Sequence, residues 1–266
     1  MRLIRMFLFL LPQVMLPQAG TGRTTFLVCY GRLEPARIKG YGTVILEQEH
    51  YKPSEIRKIK SQNDKVLAYI SLGEVNKNAA HFPKLKGHTL GKNDIWDSYY
   101  IDLRTAETRD ILLQIIRDGL ESGYDGFFLD NLDNYGQFGP QKDQREDVVL
   151  LLKSIFEKYP KQTFLQNGGL DLISETAPYI DGLVIESVAS DYSFAQKKYK
   201  LRDQNQFNQS VQRLADIHQT YNLPVTLIEY AGTQRLRTAI ENRLRPLDFD
   251  YFIGNINLQT LPAFAK

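Results

Sequence analysis

The chain has 266 residues, 42% of them hydrophobic and 24% charged, with a formal net charge of +2. Those values fit a globular chain long enough to bury one large core, and they exclude a disordered chain or a bundle of membrane spans. The basic excess sits in Arg2 and Arg5; without them basic and acidic residues balance, which leaves no electrostatic case for a nucleic-acid partner.

Arg2 and Arg5 precede an apolar run from Met6 to Leu11, broken by Pro12 and resumed at Val14 to Leu16, with small residues at Ala19 and Gly20. Positive, apolar, then small is the order of a secretory signal, and the run is too short for a stable bilayer span. Residues 1–19 are therefore expected to direct export to the periplasm or the exterior. The mature part, residues 20–266, carries no expected membrane span. Cys29, the only cysteine, excludes an internal disulfide and ends an apolar run, as a core residue would.

Beyond the signal, short apolar runs alternate with amphipathic helical stretches. Strands are predicted at Thr25 to Tyr30, Thr43 to Leu46, Val66 to Leu72, Gly126 to Leu129, Thr163 to Gln166, Gly182 to Ile185, Val225 to Ile228 and Tyr251 to Ile253. Helices are predicted at Ser54 to Ser61 (Ser54 as N-cap), Thr105 to Ser122 (stopped by Gly123), Arg145 to Lys158 and Gln204 to Tyr221, with shorter ones after Leu170 and Leu236. Runs such as Val66 to Ile70 lack a wet face, as strands of a parallel sheet covered on both sides do. Alternation of this kind over one domain of this length predicts an α/β fold, a (β/α)8 TIM barrel. The stretch from Val75 to Tyr100, with Trp96 and no clear period, reads as a long functional loop.

Several predicted strands end in a group able to do chemistry. Glu47, Glu74, Asp130, Glu186 and Glu229 each follow an apolar run, and Asn167 follows another. A parallel barrel collects such strand ends on one rim, where its active sites lie. Charges at the ends of buried strands cost free energy unless paired or functional. Two rim carboxylates suit glycoside hydrolysis, one as a neutral acid and one as an anion. Spacing alone leaves open which two. The histidines show no metal-ligand spacing, and no phosphate cradle or nucleophile elbow is present, so no metal or cofactor is expected.

The segments Ala68-Tyr69-Ile70-Ser71-Leu72-Gly73-Glu74, Gly126-Phe127-Phe128-Leu129-Asp130-Asn131-Leu132-Asp133, Gln166-Asn167-Gly168-Gly169 and Val184-Ile185-Glu186-Ser187 resemble glycoside hydrolase family 114, the endo-α-1,4-polygalactosaminidase family. Tyr99 to Arg104 is similar to the family's stretch before a helix, and the resemblance runs in order from about Tyr30 to Tyr230. It implies a (β/α)8 barrel that cleaves α-1,4-linked galactosamine-containing polysaccharide. It also implies Asp130 and Glu186 as the catalytic pair. By analogy with related retaining α-glycosidases, Asp130 is then the nucleophile and Glu186 the acid/base.

Deacetylated galactosamine units are cations near neutral pH, which gives rim carboxylates a binding role. Glu74, Asp133 and Glu229 are the candidates for it, with Asn167 as a donor to a sugar hydroxyl. Tyr30, Tyr69, Tyr135 and Trp96 are candidates to stack on sugar faces or line the cleft. Glu47-Gln48-Glu49 departs from the aspartate-containing ending that the family pattern places on the second strand. Two other readings stay open: a non-catalytic polysaccharide-binding barrel in biofilm or cell-surface assembly, and a hydrolase of another α-glycan.

Overall fold

A computed structural model describes residues 25–265; the predicted signal, residues 1–19, lies outside them. In chain order the strands are β1 (Phe26–Cys29), β2 (Thr43–Glu47), β3 (Lys65–Ser71), β4 (Glu74–Asn76), β5 (Thr89–Asn93), β6 (Ser98–Ile101), β7 (Gly126–Asp130), β8 (Thr163–Asn167), β9 (Gly182–Glu186), β10 (Ser190–Ser193), β11 (Lys198–Leu201), β12 (Val225–Tyr230) and β13 (Asp250–Gly254). The helices are α1 (Pro53–Lys60), α2 (Phe82–Leu85), α3 (Ala106–Ser122), α4 (Arg145–Lys158), α5 (Ile173–Thr176), α6 (Gln204–Tyr221) and α7 (Gln234–Leu244).

Eight strands form one sheet in the order β1-β2-β3-β7-β8-β9-β12-β13, every neighbouring pair parallel. Each is one of the eight predicted apolar runs. The sheet curls until β13 returns beside β1, where the Tyr30 N–H donates to the Leu258 carbonyl at 2.7 Å. A side chain at Gly31 would stand 1.9 Å from the Gln259 carbonyl oxygen, so only glycine lets the seam close. The result is a nearly closed (β/α)8 barrel of the TIM type.

Burial explains the runs. Every residue of β12 is buried, and Val66, Leu67 and Ala68 of β3 are wholly so. Each such Leu or Ile contributes roughly 1.5–3 kcal/mol relative to exposure. Alternate residues divide between two apolar clusters: Val184, Ile228 and Phe252 lie in the first, while Leu183, Leu227 and Ile253 join Leu214 of α6 and Ile240 of α7 in the second. One set faces the barrel interior and the other faces the helices. On α3, Leu112, Ile115 and Ile116 form the buried face. Thr105 caps this helix by accepting the Thr108 N–H at 3.2 Å, and Gly123 ends it at φ 111°. Lys52, not Ser54, is the N-cap of α1, because Pro53 takes the first helical position and Glu55 accepts the Lys52 N–H at 2.9 Å.

Two strands share one local design. Asp125-Gly126 opens β7 and Asp181-Gly182 opens β9; each continues with three apolar residues and ends in a carboxylate, Asp130 or Glu186. At the barrel bottom Asp125 accepts the Val66 N–H at 2.9 Å and Asp181 accepts the Phe164 N–H at 2.8 Å, so each aspartate pins its strand to the neighbour before it. At the top, the residue after each terminal carboxylate is left-handed: Asn131 at φ 63° and Ser187 at φ 58°.

The segment from Val75 to Tyr100 is more ordered than its aperiodic sequence suggests. β4, β5 and β6 make a small antiparallel sheet in the order β4-β6-β5, with α2 inserted, above the end of β3. A second antiparallel pair, β10–β11, rises beyond β9. Both are additions to the rim that carries the strand C-termini.

Candidate active site

Register sorts the rim residues. In a parallel ladder, partners and residues two apart share a face. Glu47 pairs with Tyr69, Ser71 with Asp130, Asn167 with Val184, and Glu186 with Ile228, two before Tyr230. Val184 and Ile228 belong to the first cluster, so Glu47, Tyr69, Asp130, Asn167, Glu186 and Tyr230 all face the mouth of the barrel. Glu229 takes the opposite face.

At the mouth, one amide joins the two carboxylates. Asn167 Nδ2 donates to Asp130 Oδ1 at 2.8 Å and to Glu186 Oε1 at 2.7 Å. Two oxygens bonded to one nitrogen at those lengths stand at most about 5.5 Å apart. The hydroxyl of Tyr69 donates to Asp130 Oδ2 at 2.8 Å, and that of Tyr230 bonds Glu186 Oε2. Tyr30 lies against Tyr69 with ring centroids 4.6 Å apart. Each carboxylate is thus fixed by one tyrosine and by the shared asparagine.

The electrostatics separate the pair. Desolvation in the barrel mouth raises both carboxyl groups above their ordinary range, against the donors that favour the anions, although Glu186 keeps an edge exposed to solvent. For Glu186 the next cause is the charge of Asp130, with the charge of Asp133 adding to it. The charge of Asp130 thus favours the protonated form of Glu186. Tyr30, Tyr69 and Tyr230 are held neutral far above the usual phenol range, by burial and then by these charges. Glu47 is pushed up to about 7 by burial and the nearby Glu49. With Glu49, Tyr69 and His81 it lines a side cavity of about 200 Å³ closed by Lys84, Ile115 and Asp118, which Asp130 and Glu186 do not border.

Of the residues expected in the site, the structure brings Tyr30, Tyr69, Asp130, Asn167 and Glu186 together. Asp133 stands beside them at an exposed position, with Oδ1 accepting the Gly169 N–H at 2.7 Å. A side chain at Gly168 would meet Asp133 Oδ2 at 2.1 Å, so the Gly168-Gly169 turn, left-handed at both residues, fits closely around that carboxylate. Both amide hydrogens of Asn167 are taken by the carboxylates, which removes it as a donor to sugar and makes it the residue that spaces them.

Glu74, Tyr135 and Glu229 are not brought to the cleft. Glu74 is 6% exposed and accepts from Asn93, from Asn134 at 3.0 Å and from Ser98. Tyr135 is wholly buried and donates to the Leu72 carbonyl at 2.9 Å. Glu229, also wholly buried, accepts the N–H groups of Val188, Ala189 and Ser190 at 3.1, 2.8 and 2.7 Å, plus the Ser190 hydroxyl. Proposing Glu74 and Glu229 as amine ligands fails on that count: their oxygens are already satisfied and closed off. Glu229 instead fixes the loop that follows Glu186. The residue that sequence reasoning missed is Tyr230, whose signal was its place one step beyond Glu229, on the inward face. Among the described residues, no group of three or more His, Cys, Asp or Glu is placed to hold a metal ion.

Comparison with known proteins fits this geometry. The family model described as glycoside-hydrolase family GH114 matches residues 15–261. The glycoside hydrolase domain of PelA from Pseudomonas aeruginosa superposes with a TM-score of 0.80 at 25% identity, over 91% of this chain and 98% of that one. Ega3 of Aspergillus fumigatus, solved in complex with galactosamine, gives 0.70 at 20% identity, over 89% and 92%. An α-galactosidase from Thermus thermophilus shares the fold at 0.57 and 12% identity, over 87% of this chain and 58% of that one. No curated protein sequence matches the chain.

Proposed function

Because the chain belongs to glycoside hydrolase family 114 and is a glycoside hydrolase, we propose that it is an exported endo-acting enzyme that cleaves α-1,4-linked galactosamine-containing polysaccharide with retention. The observation that carries this is the carboxylate pair joined through Asn167. A nearest-oxygen separation of at most about 5.5 Å lies on the short side, with the ~5–5.5 Å of retaining glycosidases, and leaves little room for the water that inverting enzymes place between carboxyls ~6.5–9.5 Å apart.

Asp130, anionic and aimed by Tyr69 and Asn167, attacks the anomeric carbon. Glu186 gives its proton to the leaving glycosidic oxygen as that bond breaks. A glycosyl ester on Asp130 results, and Glu186, now a base, takes a proton from the water that hydrolyses it. The division of roles follows the electrostatics, since the Asp130 charge raises Glu186 and favours its protonated form.

Ega3, a structure of the same fold, holds galactosamine, and this supports an amino-sugar substrate. Glu47 and Asp133 face the barrel mouth with oxygens available to an ammonium group, which keeps Asp133 in the amine-binding role and puts Glu47 there in place of Glu74 and Glu229. Export rests on the signal-like order of residues 1–19.

The test is incubation of the mature protein, and of its Asp130→Asn and Glu186→Gln variants, with partly deacetylated galactosamine polymer. The parent releases oligosaccharides, and each variant loses at least ~10³-fold in rate while still binding polymer. Binding by all three with release by none removes the enzymatic reading of this substrate.

A further inference from the structure

The two hairpins added to the rim end in turns of the same build. One runs from Asp94 to Asp97 between the paired residues Asn93 and Ser98, the other from Phe194 to Lys197 between Ser193 and Lys198. Each closes on a left-handed residue, Asp97 at φ 51° and Lys197 at φ 51°. Each is held by the residue before it: Asn93 Oδ1 accepts the Ile95 N–H at 3.1 Å, and Ser193 Oγ accepts the Gln196 N–H at 3.3 Å. In the first turn Lys77 and Lys92 grip the Asp97 carboxylate at 2.9 and 2.8 Å, and Asn76 Nδ2 donates to the Trp96 carbonyl at 3.3 Å. These are preformed turns.

They meet through aromatic side chains. Trp96 and Phe194 are in edge-to-face contact, ring centroids 5.3 Å apart at 88°, although they are 56% and 52% exposed. The row continues from Phe194 to Tyr192 at 5.0 Å and from Tyr192 to Tyr199 at 4.7 Å. Tyr199 is anchored beyond β13, where its hydroxyl accepts the Ile256 N–H at 3.2 Å, and its ring lies against Gly232 beyond β12. The row therefore links the loops after β12 and β13 to the loop after β3, on the rim that holds Asp130 and Glu186.

We propose that Trp96 and Phe194 form an aromatic clamp that seats the polysaccharide beside the carboxylate pair, stacking on sugar rings of the same chain that Asp130 and Glu186 cut. The proposal rests on the galactosamine reading above. Large aromatic rings in mutual contact, yet half open to solvent, present apolar faces that a protein core would cover. Pyranose rings offer matching C–H faces, and the ammonium group of a deacetylated unit is drawn to the π-face of an indole. The occupant is the substrate polymer itself because the Trp96 hairpin continues from β3, which carries Tyr69, and the Phe194 hairpin from β9, which ends in Glu186, so both rise from the rim that holds the pair.

Trp96 is the only tryptophan in the chain, so its emission reports on this site alone. In the Asp130→Asn background, titration with partly deacetylated galactosamine polymer is expected to give a saturable change in tryptophan emission. Phe194→Ala in that background weakens the apparent affinity about tenfold. In the otherwise native enzyme, Trp96→Ala and Phe194→Ala raise KM for polymer about tenfold, with the loss in KM rather than kcat, and Trp96→Tyr recovers part of it. A parent that cleaves the polymer while emission stays flat at saturation, with both alanine variants at the parental KM, overturns the clamp and leaves the enzyme reading standing. A parent that neither binds nor cleaves the polymer overturns both.

Discussion

At the scale of single residues, the site is a matter of which way each side chain points. Sequence spacing offered five equivalent rim carboxylates, because an apolar run followed by an acid reads the same on either face of a strand. Register separates them: Glu47, Asp130 and Glu186 face the mouth, whereas Glu229 faces outward, and it brings in Tyr230, one step beyond Glu229. The two tyrosines have parallel roles with different signatures in a pH profile. Each hydroxyl stabilises the ionised form of its carboxylate, so removing either raises that group's pKa further. Tyr69→Phe is expected to shift the acidic limb of kcat to higher pH, because on the proposed mechanism Asp130 must be ionised to attack. Tyr230→Phe is expected to shift the alkaline limb to higher pH, because Glu186 then keeps its proton longer. Each variant loses about 10- to 100-fold in kcat/KM, the effect of one hydrogen bond to a charged group. Profiles for both, measured on one substrate, check the assignment: the same limb moving in both contradicts it.

At the scale of elements, the loops after β7, β8 and β9 hold the site by backbone conformation. Asn131, Gly168, Gly169 and Ser187 are all left-handed, and all follow directly on the ends of those strands. The sequence made Gly168-Gly169 legible as a turn, but a left-handed serine carries no such mark. Gly168→Ala adds a methyl group onto the Asp133 carboxylate at a backbone angle that alanine resists, so a loss of ~1–3 kcal/mol of stability is expected in thermal unfolding. Glu229→Gln provides a sharper test of what that buried acid does. Its oxygens accept three backbone N–H groups, and an amide turned toward them leaves a donor facing donors. The expected outcome is destabilisation by ~1–3 kcal/mol with little change in KM; an unchanged midpoint with a raised KM would restore Glu229 as a substrate ligand. The hairpins β5–β6 and β10–β11 were hidden in the sequence because they stand outside the barrel, largely open to solvent, so hydrophobic alternation did not mark them.

At the scale of the whole molecule, the order of strands and helices was readable because every barrel strand is covered on both faces and every long helix on one. The same burial sets a pH dependence of stability. Glu47 has its pKa raised from 4.5 to about 7 in the fold, so the native state binds the proton more tightly than the unfolded chain. Its contribution is fully present below the ordinary carboxylate pKa and is lost as pH rises through about 7. Asp130, Glu186 and Glu229 are raised as well and act in the same direction. The thermal midpoint is expected to fall between about pH 5 and pH 8, and Glu47→Gln to recover ~1–3 kcal/mol at the upper end. A midpoint that climbs over that range would mean these acids are stabilised as anions. On the proposed mechanism Asp130 attacks while Glu186 supplies the proton, and stereochemistry reports on that directly. Proton NMR of the first products, recorded before mutarotation, is predicted to show the α-anomer; the β-anomer appearing first would contradict a nucleophilic Asp130.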